Sequence, residues 1–317
     1  MGISELEKGE DIIEFFLVKD QNIKEAANGK YLDLLLVDKT GEISAKQWRC
    51  DPLKVQSIVR GALVKVKAKV EEYRGALQLN IVQIREALPE DNVDKAYFIK
   101  TAPLSGDVMY ETLMETIKSL TFEPIKIIVE KRVAEIKEKL VFYPAAKSIH
   151  HSFIGGLLYH TIAMVEIGEK LLPIYPFLDR NILLAGIILH DLDKTEEMIA
   201  DEFGVEDYTL KGNLLGHLVS GVTHIDRIGK ASGIDEEVII ILEHLVLSHH
   251  NKAEYGSPKP PALPEAELLH LIDNIDAKMN QYEQIYNHLE PGEFSDRIYA
   301  LDNRHIYKPK WRDNNGI

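Results

Sequence analysis

The first ninety residues alternate between apolar and polar positions, a pattern typical of short strands with one buried face. Residues 12–18 read as one strand, and residues 31–48 and 62–82 read as hairpins, the first turning at residues 39–41. The clearest alternation lies in Val64, Lys65, Val66, Lys67, Ala68, Lys69 and Val70. Five strands, with a helical segment near residues 52–58, predict a small OB-type β-barrel.

The pattern changes after a polar, Pro-containing linker at residues 87–94. From about residue 107 the apolar residues recur at helical spacing, and this continues to about residue 281. We therefore predict a multi-domain α and β protein, an N-terminal barrel followed by an all-α helical bundle. The predicted divisions are a barrel (1–90), a helical linker region (91–143), the bundle (144–290) and a basic, aromatic C-terminal tail (291–317).

One apolar run, residues 181–189, ends in His190, Asp191, Asp193 and Lys194. Burying such polar groups without partners costs several kcal/mol, on the order of 2–7 for each unpaired group. A divalent metal held by His190 and Asp191 would compensate them, since imidazole nitrogen and carboxylate oxygen both bind Zn, Mn or Fe. The alternative is a helix end where the polar pair reaches solvent.

Histidines are concentrated in the helical half: nine of the twelve lie between residues 150 and 250. Five predicted helices each deliver ligand-type side chains from apolar surroundings. The candidate metal residues are His160, His190, Asp191, His217, His249, His250 and Asp273. His224 and His270 suit core-edge or surface positions. His244 suits either such a position or a place among the ligands, and Asp276 suits support of the ligands. His150 and His151 could face substrate or metal.

The net charge of −14 argues against a nucleic-acid partner, but its distribution does not. Residues 1–100 carry 16 Lys and Arg against 17 Asp and Glu, and residues 43–85 carry nine against three. Basic groups beside aromatic rings suit single-stranded nucleic acid. The candidates are Trp48, Lys65, Lys67, Lys69, Tyr73 and Arg74, with Tyr31 as a further stacking surface. The alternative is a solvated lysine face.

The candidate metal residues carry a family resemblance. His160, the His190-Asp191 doublet and Asp273 resemble the H…HD…D ligand set of the HD phosphohydrolase superfamily, although Asp193 stands where HD-Gly-Lys motifs carry glycine. Adding the barrel, the chain resembles the YhaM family of 3′→5′ exoribonucleases. The further motifs that carry this resemblance are Pro144-Ala-Ala-Lys147, His150-His151, Gly155-Gly156, Tyr159-His160-Thr161, Gly216-His217, Ser248-His249-His250 and Glu254–Pro258.

This resemblance implies a metal-dependent exoribonuclease that hydrolyses single-stranded RNA, and also single-stranded DNA, to nucleoside 5′-monophosphates. It implies Mn²⁺, although the ligands would accept Fe, Co or Zn. Two ions are expected, bridged by Asp191 because a carboxylate has two oxygens. His160, His190 and Asp273 would complete one site, and His217, His249 and His250 the other. Lys194 would hold the phosphate or orient water, unless it forms a salt bridge with Glu197 or Asp193.

Two other functions remain open: an HD-type phosphodiesterase or phosphohydrolase acting on small nucleotides, and a non-catalytic OB-fold nucleic-acid-binding protein. The single cysteine, Cys50, excludes an internal disulfide framework and a Cys-based zinc site. The first residues lack a signal-peptide pattern, and no apolar run is long enough for a membrane span. We therefore expect a cytoplasmic protein without a membrane partner; the apolar helical half would also suit a homo-oligomer.

Overall fold

Five strands of the first hundred residues close into a barrel. Its strands are β1 (Asp11–Ala26), β2 (Gly29–Asp38), β3 (Gly41–Trp48), β4 (Leu63–Tyr73) and β5 (Ala76–Glu86). Their order around the barrel is β1-β2-β3-β5-β4, closed by antiparallel pairing of β1 with β4. Only the β3–β5 pairing is parallel among these strands. This is a five-stranded OB-type barrel, as the alternation predicts.

The computed structural model describes residues 2–26, 29–51, 55–147 and 151–311. The chain divides into two compact units, residues 1–100 and 101–317. Of the predicted helical segment in the barrel, residues 52–54 lie outside the described residues, and residues 55–57 form a turn. Val55, the first residue of that turn, and Ile58, which follows the turn, are buried in the barrel core.

Strand β4 shows why the sequence folds this way. Val64, Val66 and Val70 have no solvent-exposed surface, whereas Lys67 and Lys69 on the opposite face are exposed. Its hairpin with β5 turns through Arg74 and Gly75, whose φ angles are 53° and 83°. Two consecutive positive φ angles match the twist of a tight β-hairpin, and glycine adopts them without steric cost.

The second unit is mainly helical. Its helices are α1 (Gly106–Lys118), α2 (Glu123–Glu135), α3 (Lys137–Leu140), α4 (Gly156–Leu171), α5 (Arg180–Leu189), α6 (Lys194–Glu197), α7 (Leu210–Ala231), α8 (Glu236–Ser248) and α9 (Pro264–His288). Every residue of α5 from Leu183 to Leu189 is buried, and α2, α4, α8 and α9 pack around it. The apolar run in the sequence is therefore the central helix, and His190 follows directly at its C-terminal end.

Two features of this unit were not predicted. Strands β6 (Met198–Asp201) and β7 (Gly204–Tyr208) form an antiparallel hairpin after α6. The described part of the predicted tail packs against its own unit: Leu301 and Ile306 are buried, and Lys308 Nζ donates to two carbonyl oxygens at the end of α9. Residues 312–317 lie outside the described residues. None of the helices in the described part of the chain combines the length and apolar character that a membrane crossing requires.

Candidate metal centre and nucleic-acid surface

The candidate metal residues converge from five helices at one place. His160 lies on α4, His190 and Asp191 follow α5, His217 lies on α7, His249 and His250 follow α8, and Asp273 lies on α9. The five residues from His160 to His249 in this set are at most 8% exposed, while His250 and Asp273 are half-buried. Side chains that lie far apart in sequence thus form one cluster beneath the surface.

Three groups of these side chains place ligand atoms within 4.8 Å of one another. The groups are Asp191 with His217, His249 and His250; His160 with His190 and Asp191; and His190 with His249 and Asp273. Because Asp191 belongs to two groups, it joins the two halves of the cluster. A carboxylate can serve both halves, since each of its oxygens can bind a separate cation.

The two oxygens of Asp191 face different partners. Oδ2 lies 3.2 Å from His190 Nε2 and 2.7 Å from Lys194 Nζ. Oδ1 lies 3.4 Å from His217 Nε2 and 3.7 Å from His249 Nε2. Lys194 therefore pairs with Asp191, and neither Asp193 nor Glu197 is its partner at this distance.

Hydrogen bonds orient the imidazole rings. Three Nδ1 atoms lie 2.7 Å from backbone carbonyl oxygens: His190 from Ile187, His249 from Val246 and His250 from Tyr255. Two others face carboxylates: His160 Nδ1 lies 2.6 Å from Asp276 and His217 Nδ1 lies 2.9 Å from Glu197. When Nδ1–H donates to an oxygen, Nε2 carries the lone pair, which is the arrangement that metal-binding histidines adopt.

Several buried atoms of the cluster lack a hydrogen-bond partner of suitable geometry among the described residues. They are His190 Nε2, His217 Nε2, His249 Nε2 and Asp191 Oδ1. A buried acceptor without a partner costs about 1–3 kcal/mol, and more when it is charged. Four such atoms facing one another are unfavourable unless a cation compensates them. The donor set therefore fits a divalent cation.

Burial and neighbouring charges set the protonation of this cluster. Burial raises the pKa of Asp191, but the charges of Lys194 and His190 outweigh it and hold that pKa well below its usual range. Burial, together with His190, lowers the pKa of His249 well below its usual value. An ionised carboxylate and a neutral imidazole are the forms that bind metal.

His160 behaves differently. Burial lowers its pKa, but the hydrogen bonds to Asp273 and Asp276 outweigh this and raise the pKa to about 9. Its Nε2 lies 3.3 Å from Asp273 Oδ1. In the absence of a cation, His160 is therefore protonated at neutral pH and balances two carboxylates.

Two glycines allow the helices to present these side chains. A Cβ atom on Gly156 would lie 1.9 Å from the carbonyl oxygen of His151, so only glycine can start α4 at this place. Gly216 has φ 71° and ψ 171°, which interrupts α7 directly before His217. Glycine reaches this positive φ without a Cβ clash. His217 therefore begins the second part of α7.

Three further histidines of the helical unit have other partners. His151 Nε2 lies 2.7 Å from Asp276 Oδ2, and His150 lies outside the described residues. His244 Nε2 accepts a hydrogen bond from the backbone of Ala262. His270 Nδ1 lies 2.7 Å from the carbonyl oxygen of His249. Asp276 thus lies against His151 and His160, and His151, His244 and His270 are not members of the two groups that contain Asp191.

A buried ion network lies behind the cluster. Asp193 Oδ1 lies 3.0 Å from Arg132 Nη2 and 2.6 Å from His224 Nδ1. Arg132 and Asp193 are each 2% exposed. Sequence reasoning gave no role to Arg132 and placed His224 at a core edge or the surface. The network links the turn after α5 to α2 and α7, and so fixes the segment that carries Asp191 and Lys194.

The barrel gathers the predicted aromatic residues around a basic one. Lys46 Nζ lies 5.8 Å from the ring centres of Tyr31 and Trp48 and 5.4 Å from that of Tyr73. The guanidinium of Arg74 lies 5.2 Å from the Tyr73 ring. Trp48 is 50% exposed and Tyr73 is 54% exposed. We refer to these five residues as the aromatic cluster. The i, i+2 spacing of Lys46 and Trp48 on β3 would have identified Lys46 as a member.

The three lysines of β4 differ from one another. Lys69 and Lys46 both face Asn80 in the strand register, which places Lys69 beside the aromatic cluster. Lys67 and Lys69 are exposed. Lys65 Nζ lies 3.5 Å from Asp91 Oδ1 and 5.0 Å from the Phe15 ring centre. Lys65 is therefore already engaged within the barrel unit.

The sequence of this chain resembles that of known proteins. Residues 157–278, which include all seven candidate metal residues, match the HD domain family. The "3'-5' exoribonuclease YhaM" of Halalkalibacterium halodurans is 43% identical over 98% of this chain and 97% of its own length. The protein of that name from Bacillus subtilis is 40% identical over 97% of this chain and 98% of its own. A solved structure, the second OB-fold domain of replication protein A from Methanococcus maripaludis, aligns with 27% of this chain and 92% of that chain at 21% identity and a TM-score of 0.23.

Proposed function

This chain belongs to the YhaM family of 3′–5′ exoribonucleases and is a metal-dependent phosphodiester hydrolase, and on that premise we propose that it degrades single-stranded RNA with two divalent cations, preferably Mn²⁺. The observation that carries the two-cation proposal is the position of Asp191, whose two oxygens face separate groups of imidazole nitrogens. Such a pair of ions can stabilise both the attacking and the leaving oxygen of a phosphodiester.

We propose two ligand sets that share Asp191. His160, His190, Asp191 and Asp273 would hold one cation. Asp191 would share the second cation with His217, His249 and His250. Both sets contain imidazoles and carboxylates, which suit Mn²⁺ and would also accept Fe, Co or Zn. When bound, the cations would lower the pKa of the attacking water and reduce the charge on the phosphoryl oxygens.

Lys194 is the side chain that we assign to the scissile phosphate or the attacking water. Its ammonium lies 2.7 Å from Asp191 Oδ2 and its side chain is 14% exposed. Burial lowers its pKa, but the charge of Asp191 outweighs this and raises the pKa above its ordinary value. Lys194 therefore stays cationic at neutral pH and can attract a phosphate oxygen.

The aromatic cluster of the barrel, with Lys67 and Lys69, would bind the single strand. Aromatic rings accept any base by stacking, and lysines neutralise phosphates without reading the sequence. This kind of surface suits single-stranded RNA and also admits single-stranded DNA. Hydrolysis at the 3′ end would release nucleoside 5′-monophosphates. We propose a cytoplasmic location, because RNA substrates occur there. Homo-oligomerisation stays a prediction.

A direct test follows a 5′-labelled single-stranded RNA incubated with the full-length protein and Mn²⁺. We expect stepwise shortening from the 3′ end and release of nucleoside 5′-monophosphates. Asp191→Ala should reduce turnover by at least about a thousandfold, because metal ions supply several kcal/mol of stabilisation and about 1.4 kcal/mol is tenfold in rate. RNA binding should persist in this variant.

Asp226→Ala serves as the matched control, because Asp226 is a partly exposed residue of α7 that pairs with Lys230 away from the ligand groups. It should retain full activity. Hydrolysis of small phosphodiesters at the rate measured for RNA would favour a small-nucleotide hydrolase instead. Undiminished turnover by Asp191→Ala would contradict catalysis at this centre.

A further inference from the structure

The five imidazoles of the metal centre are oriented by two kinds of acceptor. Neutral backbone carbonyls accept from His190, His249 and His250. Carboxylates face His160 and His217 instead. These two histidines belong to different proposed ligand sets, so each set contains one carboxylate-backed imidazole.

Glu197 holds His217 at two points. Its Oε2 lies 2.9 Å from His217 Nδ1, and its Oε1 accepts from the His217 backbone N–H at 3.3 Å. This backbone N–H begins the helical stretch that follows the interruption at Gly216. The carboxylate therefore both caps that stretch and fixes the imidazole ring, since carboxylates stabilise helix N-termini.

The backbone of Glu197 is itself held in place. Its carbonyl oxygen accepts from the backbone N–H of Thr209 at 2.9 Å. A Cβ atom on Gly212 would lie 2.2 Å from the same oxygen. The start of α7 thus packs closely on Glu197, which keeps the carboxylate in reach of His217.

Asp276 plays the corresponding part for His160. Its Oδ2 lies 2.6 Å from His160 Nδ1 and 2.7 Å from His151 Nε2. The Asp276 side chain is 12% exposed, and α9 carries it one turn after the ligand Asp273. The same helix therefore supplies a ligand and the group that orients a second ligand.

We propose that Glu197 and Asp276 are positioning residues that set the affinities of the two cations separately. Glu197 would act on the cation of His217, His249 and His250, and Asp276 on the cation of His160, His190 and Asp273. A carboxylate acceptor makes an imidazole more basic than a carbonyl does, and loss of such a partner typically lowers metal affinity about 10–100-fold. This inference rests on the proposed two-cation centre.

The test is an equilibrium titration of the full-length protein with Mn²⁺, in which electron paramagnetic resonance reports free Mn²⁺. The wild type should bind two ions. Glu197→Gln and Asp276→Asn should each lower the affinity for one ion about 10–100-fold and leave the affinity for the other unchanged. Asp226→Asn is the control, because this carboxylate pairs with Lys230 and lies outside the groups of possible ligand atoms, and it should leave both affinities unchanged.

A double-variant comparison assigns each residue to its ion. In a His217→Ala background, Glu197→Gln should have no further effect on Mn²⁺ binding, whereas Asp276→Asn should keep its full effect. Unfolding midpoints of the metal-free variants show whether they are folded, and Glu197→Asp offers a conservative second variant that should restore part of the affinity. A general loss of structure would weaken both ions together.

The outcomes separate the two proposals. Wild-type binding of fewer than two ions would overturn the two-cation centre and this inference with it. Two ions in the wild type with unaltered affinities in Glu197→Gln and Asp276→Asn would overturn the inference alone. Equal weakening of both ions by either variant would also overturn it.

Discussion

The metal centre of the helical unit and the aromatic cluster of the barrel use charged groups in opposite surroundings. In the metal centre His160 and His249 have no exposed surface, whereas Trp48 and Tyr73 of the aromatic cluster are about half exposed. Buried charges interact strongly because water does not screen them, and each one needs a partner. Exposed charges interact weakly and depend on salt.

This difference suits the two proposed tasks, hydrolysis at the metal centre and strand binding on the barrel. Hydrolysis requires a few groups in fixed positions, and the hydrogen bonds behind each imidazole supply that fixation. Holding a strand of any sequence requires many weak and similar contacts, which the exposed rings and lysines of the barrel would supply in the proposed role. Single substitutions should therefore have large, cooperative effects in the metal centre and small, nearly independent effects on the barrel.

The largest difference in stability should appear between substitutions in two arginine–aspartate pairs, one buried in the helical unit and one at the surface of the barrel unit. Arg132 and Asp193 are buried, and removing one partner of a buried pair typically costs about 3–5 kcal/mol. Arg132→Met should therefore strongly destabilise the helical unit in urea unfolding. Arg85→Met removes a surface partner of Asp91 in the barrel unit and should change stability far less. Similar losses from both substitutions would contradict the role of burial.

A second difference should appear within the metal centre as a function of pH. The pKa of His160 is about 9 without a cation, so a proton and a cation compete for its Nε2. The affinity for Mn²⁺ of the site that contains His160 should rise about tenfold per pH unit between about pH 6.5 and 8.5 and level off above about 9. Burial lowers the pKa values of His249 and His250, so the Mn²⁺ affinity of the site that they form should depend less on pH. Mn²⁺ titrations across this range test both statements, and equal slopes for the two ions would contradict them.

On the barrel, Trp48→Ala should weaken single-stranded RNA binding about 5–150-fold, because stacking contributes about 1–3 kcal/mol per base. Turnover of bound RNA should change little. Fluorescence anisotropy with a labelled oligonucleotide measures the affinity. Phe177→Ala, which removes an exposed ring from the helical unit, is the control and should bind normally. Unchanged affinity in Trp48→Ala would remove the aromatic cluster from the substrate path.

The smallest effect should come from the β4 lysines. Changing Lys67 and Lys69 together to Ala should reduce the slope of log affinity against log salt by about 1.4, because each phosphate that a lysine neutralises on a single strand adds about 0.7 to that slope. Lys65→Ala should change the slope less than either, because Lys65 already lies near Asp91. Equal contributions from all three lysines would show that the strand displaces Asp91 from Lys65.

The sequence was sufficient for features that local pattern determines. Alternation identified the barrel strands, and apolar runs ending in polar residues identified the helix ends that carry His190 and His249. It was insufficient where a side chain's partner lies far along the chain. Arg132 meets Asp193 across 61 residues, and no local pattern indicates that pairing.

The same limit explains why the sequence did not pair the orienting carboxylates with their histidines. Glu197 looks like an ordinary helix carboxylate in the sequence, and only the packing of α6 on α7 gives it a histidine partner. The spacing of Asp276 from Asp273 already indicated a supporting role, but only the packing of α9 on α4 identifies His160 as its partner. The interruption of α7 was also hidden, because a glycine inside a helical pattern is usually tolerated. Gly216 becomes informative only once its φ angle is known.

In the proposed centre, Asp191 would bind both cations. Anomalous diffraction from crystals of the full-length protein soaked in Mn²⁺ tests it most directly. We expect two peaks, with one Asp191 oxygen directed to each. A single peak, or two peaks without Asp191 between them, would contradict the claim.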